Sequence, residues 1–540
     1  MDREATETRS GAPAQALSGA RQHEVDASPG AREETRKALV TGATGYVGSQ
    51  VTAELLKRGW AVRTLSRSRD KALDMEWGAS IVQEGRQAGP GQVEVHEGDA
   101  ISEEDVEAAL EGVDVAWYLM HSMSGGSDFV EAEARMARSF GAAARRQGVA
   151  RIVYLGGLHP EGEELSDHLR SRVRVGEELM ASGVPTAALQ AGVVIGEGSA
   201  SFHMLRHLSE RLPGAIGPSW IVNRITPIGV RDVVHYLVGA ADVPGSVNRT
   251  FDVGGPEAIP YADMMKRYAK ALGLIPRVVL TAPVTTNSLA SHWISLVTPV
   301  KRNLAKPLIG SLLHDTVVHE RDIESYVGTP EGGNQSFEQA VRAAVANLDT
   351  RRWTRVFSAT ALSVAACAAV GSVLADPQNS WYRSLRKPAW QPPGVAFPIV
   401  WTALYADIAV ISSLMIADEL EAGHVRRARS HMVALGTNLV LNAGWCGLFF
   451  RSRRPGLAAV WAGALAVSSV DLVRRAAGSA PQRGVLLAPY AAWNGFATAL
   501  SGTIAGMNRK GCLRRVVAKA VTRRVDVPDA SHASLIPRLG

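Results

Sequence analysis

Cysteine is almost missing from this chain, with only Cys367, Cys446 and Cys512 among 540 residues. Three scattered cysteines are too few for a disulfide framework or a zinc site, and no metal site is expected. Cys367 and Cys446 fall inside apolar runs, where a small buried thiol is the simple reading. Residues 1–36 hold no apolar run. Rich in Ala, Gly, Ser, Glu and Arg, they read as a disordered tail, since a signal peptide needs an apolar core of about seven residues or more. Residues 37–350 also read as soluble and are expected to stay in the cytoplasm. Excess charge is small, +6 overall, and much of it follows Asn508, in Arg509, Lys510, Arg514, Arg515, Lys519, Arg523 and Arg524. No nucleic-acid motif accompanies this patch. It is expected to meet anionic lipid beyond a membrane span, and no nucleic-acid partner is expected.

What is present begins at Lys37. Ala38-Leu-Val40 is a short β-type run, followed directly by Thr41-Gly42-Ala43-Thr44-Gly45-Tyr46-Val47-Gly48. Gln50–Arg58 then has helical spacing, with Val51, Leu55 and Leu56 on one face, and stops at Gly59. Strand, glycine turn and helix are the context of a dinucleotide fingerprint. Gly42 permits the tight turn, Gly45 lets the backbone approach a pyrophosphate, and Gly48 lets the helix pack on the strand. Amides at the helix N-terminus hold the phosphate charge. The next strand, Ala61–Ser66, ends in Arg67, with Arg69 close behind; an arginine here suits a 2′-phosphate, so NADP(H) is favoured over NAD(H). Strand patterns at 93–98, 113–119, 151–155 and 186–191, with helical patterns at 103–110 and 129–147, predict a parallel doubly wound sheet. Thr186–Ala191 reads as its last strand.

On Gly42–Gly48 and this rhythm, residues 37–345 resemble the atypical short-chain dehydrogenase/reductases, the NmrA-like NAD(P)-binding proteins. The resemblance implies that Asp99 lies near the adenine and that the loops after Leu119 and Leu155 flank the nicotinamide. Active members of that group carry a serine after the fifth strand and a Tyr-x-x-x-Lys pair on the next helix. Here the strand ends Tyr154-Leu-Gly-Gly-Leu-His-Pro, and the helix reads Ser166-Asp-His168-Leu-Arg-Ser-Arg172. The phenol is missing. His168 and Arg172 stand four apart on one helical face. They are the candidate catalytic pair: Arg172 to hold a ribose as the lysine does, and His168 either to relay a proton or to serve only the structure. Ser199–Met204 and Trp220–Pro227 are expected to shape a pocket over the cofactor, Phe251–Pro256 reads as a late strand and turn, and Tyr261 begins an amphipathic helix.

Apolar runs at about 354–374, 395–417, 431–450, 455–473 and 485–507 each approach the length needed to span a bilayer. Between the first two lies Trp381-Tyr-Arg-Ser-Leu-Arg-Lys-Pro-Ala-Trp390-Gln-Pro-Pro, whose rings and cations suit an interface and whose prolines oppose helix. It continues with Phe397-Pro398, Trp401 and Leu404-Tyr405. This segment, with Asn438, Asn442, Trp445, Phe449-Phe450, Pro489-Tyr490, Trp493 and Asn508, resembles the tryptophan-rich sensory protein family (TspO, the peripheral benzodiazepine receptor family) over about 355–508. The resemblance implies a compact five-helix bundle and ligands such as porphyrins, haem and sterols.

Asn438, Asn442, Trp445 and Phe449 follow i, i+4, i+7, i+11, which predicts one helical face. Tyr490, Trp493 and Ala497 do the same on the last run. Amides beside aromatic rings should face the bundle interior. They serve there either as helix–helix glue or as an aromatic-lined site for a rigid planar ligand, together with Trp401 and Tyr405. Asp407 stands at mid-span, where relatives are apolar; a carboxylate there is costly and reads as functional, either protonated, since desolvation favours the uncharged form, or paired with Asn438 or Asn442 as hydrogen-bond donors. The family's late asparagine is Ser501 here, with no following tyrosine, which argues against cholesterol.

The expected fold is thus an α/β Rossmann-like doubly wound parallel sheet followed by an all-α five-transmembrane-helix bundle. Its parts are a tail (1–36), an NAD(P)-binding domain (37–240), its extension and linker (241–350), the membrane domain (351–508) and a basic tail (509–540). An odd number of spans separates the soluble domain from the basic tail. The two faces carry about nine and thirteen Lys/Arg, which favours the tail side as cytoplasmic. The need for NADP(H) places the soluble domain there instead. The expected role is sensing or handling a porphyrin or other planar apolar ligand. The alternatives are an NADPH-dependent oxidoreductase fed by the bundle and a non-catalytic NADPH-sensing module. Expected partners are that ligand, membrane lipids and, as an open option, a second copy in a homodimer.

Overall fold

The structure is a computed structural model that describes residues 35–120, 129–160, 162–282, 287–300 and 302–522. The tail before residue 35, the loop from His121 expected to flank a nicotinamide, and the basic side chains from Arg509 onward lie outside the described residues.

Seven strands form one sheet: β1 (Lys37–Thr41), β2 (Ala61–Ser66), β3 (Val93–Glu97), β4 (Val115–Tyr118), β5 (Arg151–Gly157), β6 (Thr186–Ala191) and β7 (Arg249–Val253). Their order is β7-β6-β5-β4-β1-β2-β3, and every neighbouring pair is parallel. Helices cover both faces, so the central strands are mostly apolar and Ala38, Leu39 and Val40 are fully buried. The strand order reverses between β1 and β4, the point in such sheets where ligands bind outside the carboxyl ends of the strands. Thr186–Ala191 is not the last strand. β7 adds beside it, with Phe251 buried, because a parallel partner needs a long crossover that local sequence patterns do not reveal.

Residues after β6 build a second core around Phe202, Leu205, Trp220, Met264 and Phe337. Its main supports are the helices Ala200–Arg211, Tyr261–Ala271 and Phe337–Ala344.

Four helices are long and apolar enough to cross a membrane among the described residues: Arg352–Leu374, Ala396–Glu421, Val425–Arg451 and Pro455–Ser479. Leu362, Val373, Ile399, Val440, Val460 and Val467 lie exposed on their outer surfaces, as contact with lipid requires. The fifth expected span is present as a helix, Pro481–Thr522, but it is not among those four. Its inward face carries Tyr490, Asn494 and Ser501, all buried, and these lower its mean hydropathy. Between the first two membrane helices a five-residue helix, Ser380–Ser384, precedes Pro388, and no helix resumes until Ala396.

Candidate active site at the strand ends

The helix Tyr46–Lys57 starts at Gly45 with no side-chain cap and no acidic residue in its first turn. In the helices starting after Ser102, Ser166, Ser199 and Ser336, the serine side chain accepts a hydrogen bond from a backbone amide of the first turn. The helix behind the glycine turn therefore keeps its amides available, and its dipole favours an anion there. Gly42 has φ +70°, and a Cβ on it would lie 2.7 Å from the Leu119 carbonyl oxygen. A Cβ on Gly48 would lie 2.2 Å from the Gly42 oxygen. Gly45 is exposed at the mouth of the turn, and Ala43 and Val47 pack inward. The Tyr46 hydroxyl meets the Gly198 backbone, and burial pushes its pKa up to about 12. Thr44 sits half-buried between the glycines. These residues fit the pyrophosphate of a dinucleotide.

The two arginines after β2 separate in the structure. Arg69 Nη2 donates to the Val82 carbonyl at 2.6 Å, whereas Arg67 is exposed. At the end of β3, Asp99 accepts from the Ile101 amide at 3.1 Å and donates its own amide to Asp105 at 2.8 Å.

A cavity of about 90 Å³ lies at the carboxyl ends of β5 and β6, lined by Gly157, His168, Arg172, Gly192, Ser201, Met204 and Tyr261 among others. His168 and Arg172 project into it from one face of the helix Asp167–Ala181. Burial, then the Arg172 cation, pushes the His168 pKa down to about 3. At neutral pH this ring is uncharged, so it enters any reaction as a neutral hydrogen-bonding group. Arg172 Nε is buried with no hydrogen-bond partner. Tyr154 is not a free phenol, since its hydroxyl donates to the Arg172 backbone oxygen at 3.0 Å.

Tyr261 is the residue that the sequence placed only as a helix start. It is fully buried, lines the cavity, and its hydroxyl has no hydrogen-bond partner. Burial raises its pKa far above the ordinary phenol value, so it remains a proton-bearing donor. Of the segments expected to shape the pocket, Ser201 and Met204 do so. Trp220 instead packs edge-on against Tyr261 at 5.7 Å.

In the bundle, the polar candidates satisfy one another. Tyr405 donates to Asn442 at 2.8 Å, Asn442 to Tyr490 at 3.3 Å, and Tyr490 to Asn438 at 2.6 Å. Asn438 donates on to Ser468 and Ser469, and Asn494 also donates to Ser469. Trp401 lies against Tyr405 and Tyr490, with ring centroids 5.2 and 6.4 Å away. Trp445 and Phe449 belong to a second cluster, stacked at 5.1 Å, with Trp381 and Tyr382 on Phe449. A π-turn at Gly447–Arg451 interrupts the regular face expected from 438 to 449. Trp493 touches both groups. Of the two alternatives for Asp407, the pairing with Asn438 or Asn442 is not found. Asp407 Oδ2 is buried without a partner, because two residues turn the helix by about 200° and carry Asp407 away from the face of Tyr405.

Residues 359–506 match the model of the TspO/MBR family. The chain is 32% identical over 153 residues to the tryptophan-rich protein TspO of Chlorobaculum tepidum, covering 27% of this chain and 94% of that one. This chain belongs to the TspO/MBR family. It is also 33% identical over 130 residues to the uncharacterized membrane protein YtaB of Bacillus subtilis, covering 24% and 81% of the two chains. Residues 42–181 match an NAD(P)H-binding family model. Among solved structures, that of Citrobacter sp. triphenylmethane reductase complexed with NADP(H) is 17% identical, covering 57% of this chain and 99% of that one, with a TM-score of 0.43.

This TspO/MBR protein is therefore an integral membrane protein that carries a nicotinamide-cofactor domain ahead of its bundle. The two halves meet through the helix Ala200–Arg211. Arg206 donates to Glu421 at 2.7 Å, and Arg211 to Asp418 at 2.5 Å, both carboxylates ending the membrane helix Ala396–Glu421. Arg483, at the start of the last helix, donates to the other Asp418 oxygen at 2.7 Å.

Proposed function

We propose that the protein is a membrane-anchored, NADP(H)-dependent reductase of an apolar substrate, with its soluble domain on the cytoplasmic side of a five-span bundle that handles a porphyrin-like ligand. The observation that carries this reading is the cavity at the strand ends. It holds a guanidinium and a phenol, Arg172 and Tyr261, each with a buried polar atom lacking a hydrogen-bond partner. Buried polar groups without partners are costly, and a substrate oxygen would satisfy both. A bound reduced nicotinamide supplies hydride. Arg172 then stabilises negative charge developing on the substrate oxygen, Tyr261 donates a hydrogen bond to it, and neutral His168 helps orient it.

Exposed Arg67 is the proposed partner of the 2′-phosphate, and Asp99 the proposed contact for the adenosine end of the cofactor. In the bundle, Trp401, Tyr405, Trp445, Phe449, Tyr490 and Trp493 supply ring surface for a planar ligand. Asp407, with its unpaired oxygen, is left for that ligand's polar edge. The chain of hydrogen bonds through Asn438 and Asn442 supports a holding role for those two amides.

The rival reading, a non-catalytic NADPH sensor, draws on the missing Tyr-x-x-x-Lys pair. Steady-state NADPH oxidation by the detergent-solubilised full chain, with and without protoporphyrin, separates the two. A reductase should lose turnover in both Arg172→Met and Tyr261→Phe while NADPH binding persists. NADPH binding without turnover in any condition selects the sensor.

A further inference from the structure

His203 and His207 stand one turn apart on the helix Ala200–Arg211, with their rings nearly parallel and centroids 6.0 Å apart. Two histidines at i, i+4 share a helical face, the spacing by which a helix offers two nitrogens to one metal ion. Facing them is Glu421, the last residue of the second membrane helix. Its Oε1 lies 3.4 Å from His207 Nε2. The ligand atoms of all three residues fall within 4.8 Å of one another. A tetrahedral ion with bonds of about 2.0–2.1 Å needs neighbouring ligand atoms about 3.3 Å apart, which modest side-chain rotations supply.

His207 is 1% exposed, yet neither of its ring nitrogens has a hydrogen-bond partner. Packing alone leaves this imidazole with an unmet need, since buried polar atoms are normally paired. The His203 ring also hydrogen-bonds to the Glu197 backbone, the outer contact that fixes a ligating histidine's orientation. Glu421 already accepts from Arg206 at 2.7 Å; its oxygens retain lone pairs for an ion. Arg206 and Arg211 are each paired with a further carboxylate, Glu210 and Asp418, which offsets their repulsion of a cation.

We propose that His203, His207 and Glu421 bind a divalent transition-metal ion of the zinc class that clamps the soluble domain to the second membrane helix. Two imidazoles and a carboxylate suit such an ion, and three protein ligands leave its fourth position open. The ligands come from both halves of the chain, so the ion is bound only while the halves are docked.

Zinc titration of the full chain in detergent, read by competition with a chromophoric chelator, should reveal one tight site per chain. Glu421→Gln and His203→Gln should each weaken it at least tenfold while NADPH binding, measured by calorimetry, persists. Cobalt(II) in the wild type should give the intense visible bands of a four- or five-coordinate ion. The proposal is overturned by equal zinc affinity in wild type and Glu421→Gln. It is equally overturned by the weak bands of six-coordinate cobalt in the wild type, a result that does not depend on whether a variant folds.

Discussion

Arg211 Nη2 lies 2.5 Å from Asp418 Oδ1, joining a soluble helix to the end of a membrane helix. The same carboxylate takes Arg483 on its other oxygen, and the Arg211 guanidinium lies 5.5 Å from the Trp353 ring. The helix that carries Arg211 also lines the strand-end cavity through Ser201 and Met204. One rigid element thus touches both the cavity and the bundle.

Asp418→Ala should be strongly destabilising, because it leaves Arg483 buried without its carboxylate and Arg211 with only the more distant Glu421, 3.9 Å away. Losing one partner of a buried pair costs about 3–5 kcal/mol. Thermal unfolding of the full chain in detergent should show a clear fall in Tm, and Asp418→Asn should fall less. Equal Tm in wild type and Asp418→Ala would mean that the junction contributes nothing to stability.

Gly48→Ala should damage the cofactor turn. The added Cβ meets the Gly42 backbone oxygen at 2.2 Å, and backbone cannot move aside as a side chain can. Overpacking of this kind costs about 1–3 kcal/mol. Calorimetry should show NADPH affinity reduced or lost, whereas alanine at exposed Gly59's neighbour Arg58 should leave it unchanged.

Arg67→Ala should shrink the preference for NADPH over NADH by about 1–2 kcal/mol, the scale of a charge-assisted hydrogen bond. Arg69→Ala should shrink it less, since that side chain is engaged with Val82. Equal affinities for the two cofactors in the wild type would remove the NADP assignment.

Glu94 on β3 ties the sheet together through Lys37 and Arg63. Burial by itself would raise its pKa; hydrogen bonds from Lys37, Ala88 and Arg63 prevail and hold it below its ordinary value of 4.5. A depressed folded-state pKa contributes stability above the unfolded value, lost as pH falls through the folded one. The Tm advantage of wild type over Glu94→Gln should therefore be full above pH 4.5 and decline below it. A constant difference across that window would exclude this linkage.

Protoporphyrin should quench tryptophan fluorescence of the full chain. Trp493, which touches both aromatic clusters, should matter more than Trp445, and replacing both by Leu should weaken the titration tenfold or more. Aromatic contacts worth about 0.5–1.5 kcal/mol each beyond burial add to that scale. An unchanged midpoint would place the porphyrin outside the bundle.

Local sequence determined the elements whose signals are local. The turn Gly42–Gly48, the helix Glu103–Leu110 and the strand Thr186–Ala191 can be read directly, because glycine conformation, helical spacing and β-type runs act over a few residues. The tryptophan-rich segment and the apolar runs likewise marked the membrane half. Tertiary structure alone decided what depends on distant partners. β7 joins the sheet only by crossing back to β6. Tyr261 reaches the cavity of His168 and Arg172 only because the second core folds against the strand ends. The asparagines find Tyr490 and the serines of neighbouring helices. Glu421 lies far in sequence from His203 and His207 and on the other side of the soluble–membrane boundary. Only the docking of one half on the other, through buried charges that must be paired, brings them together.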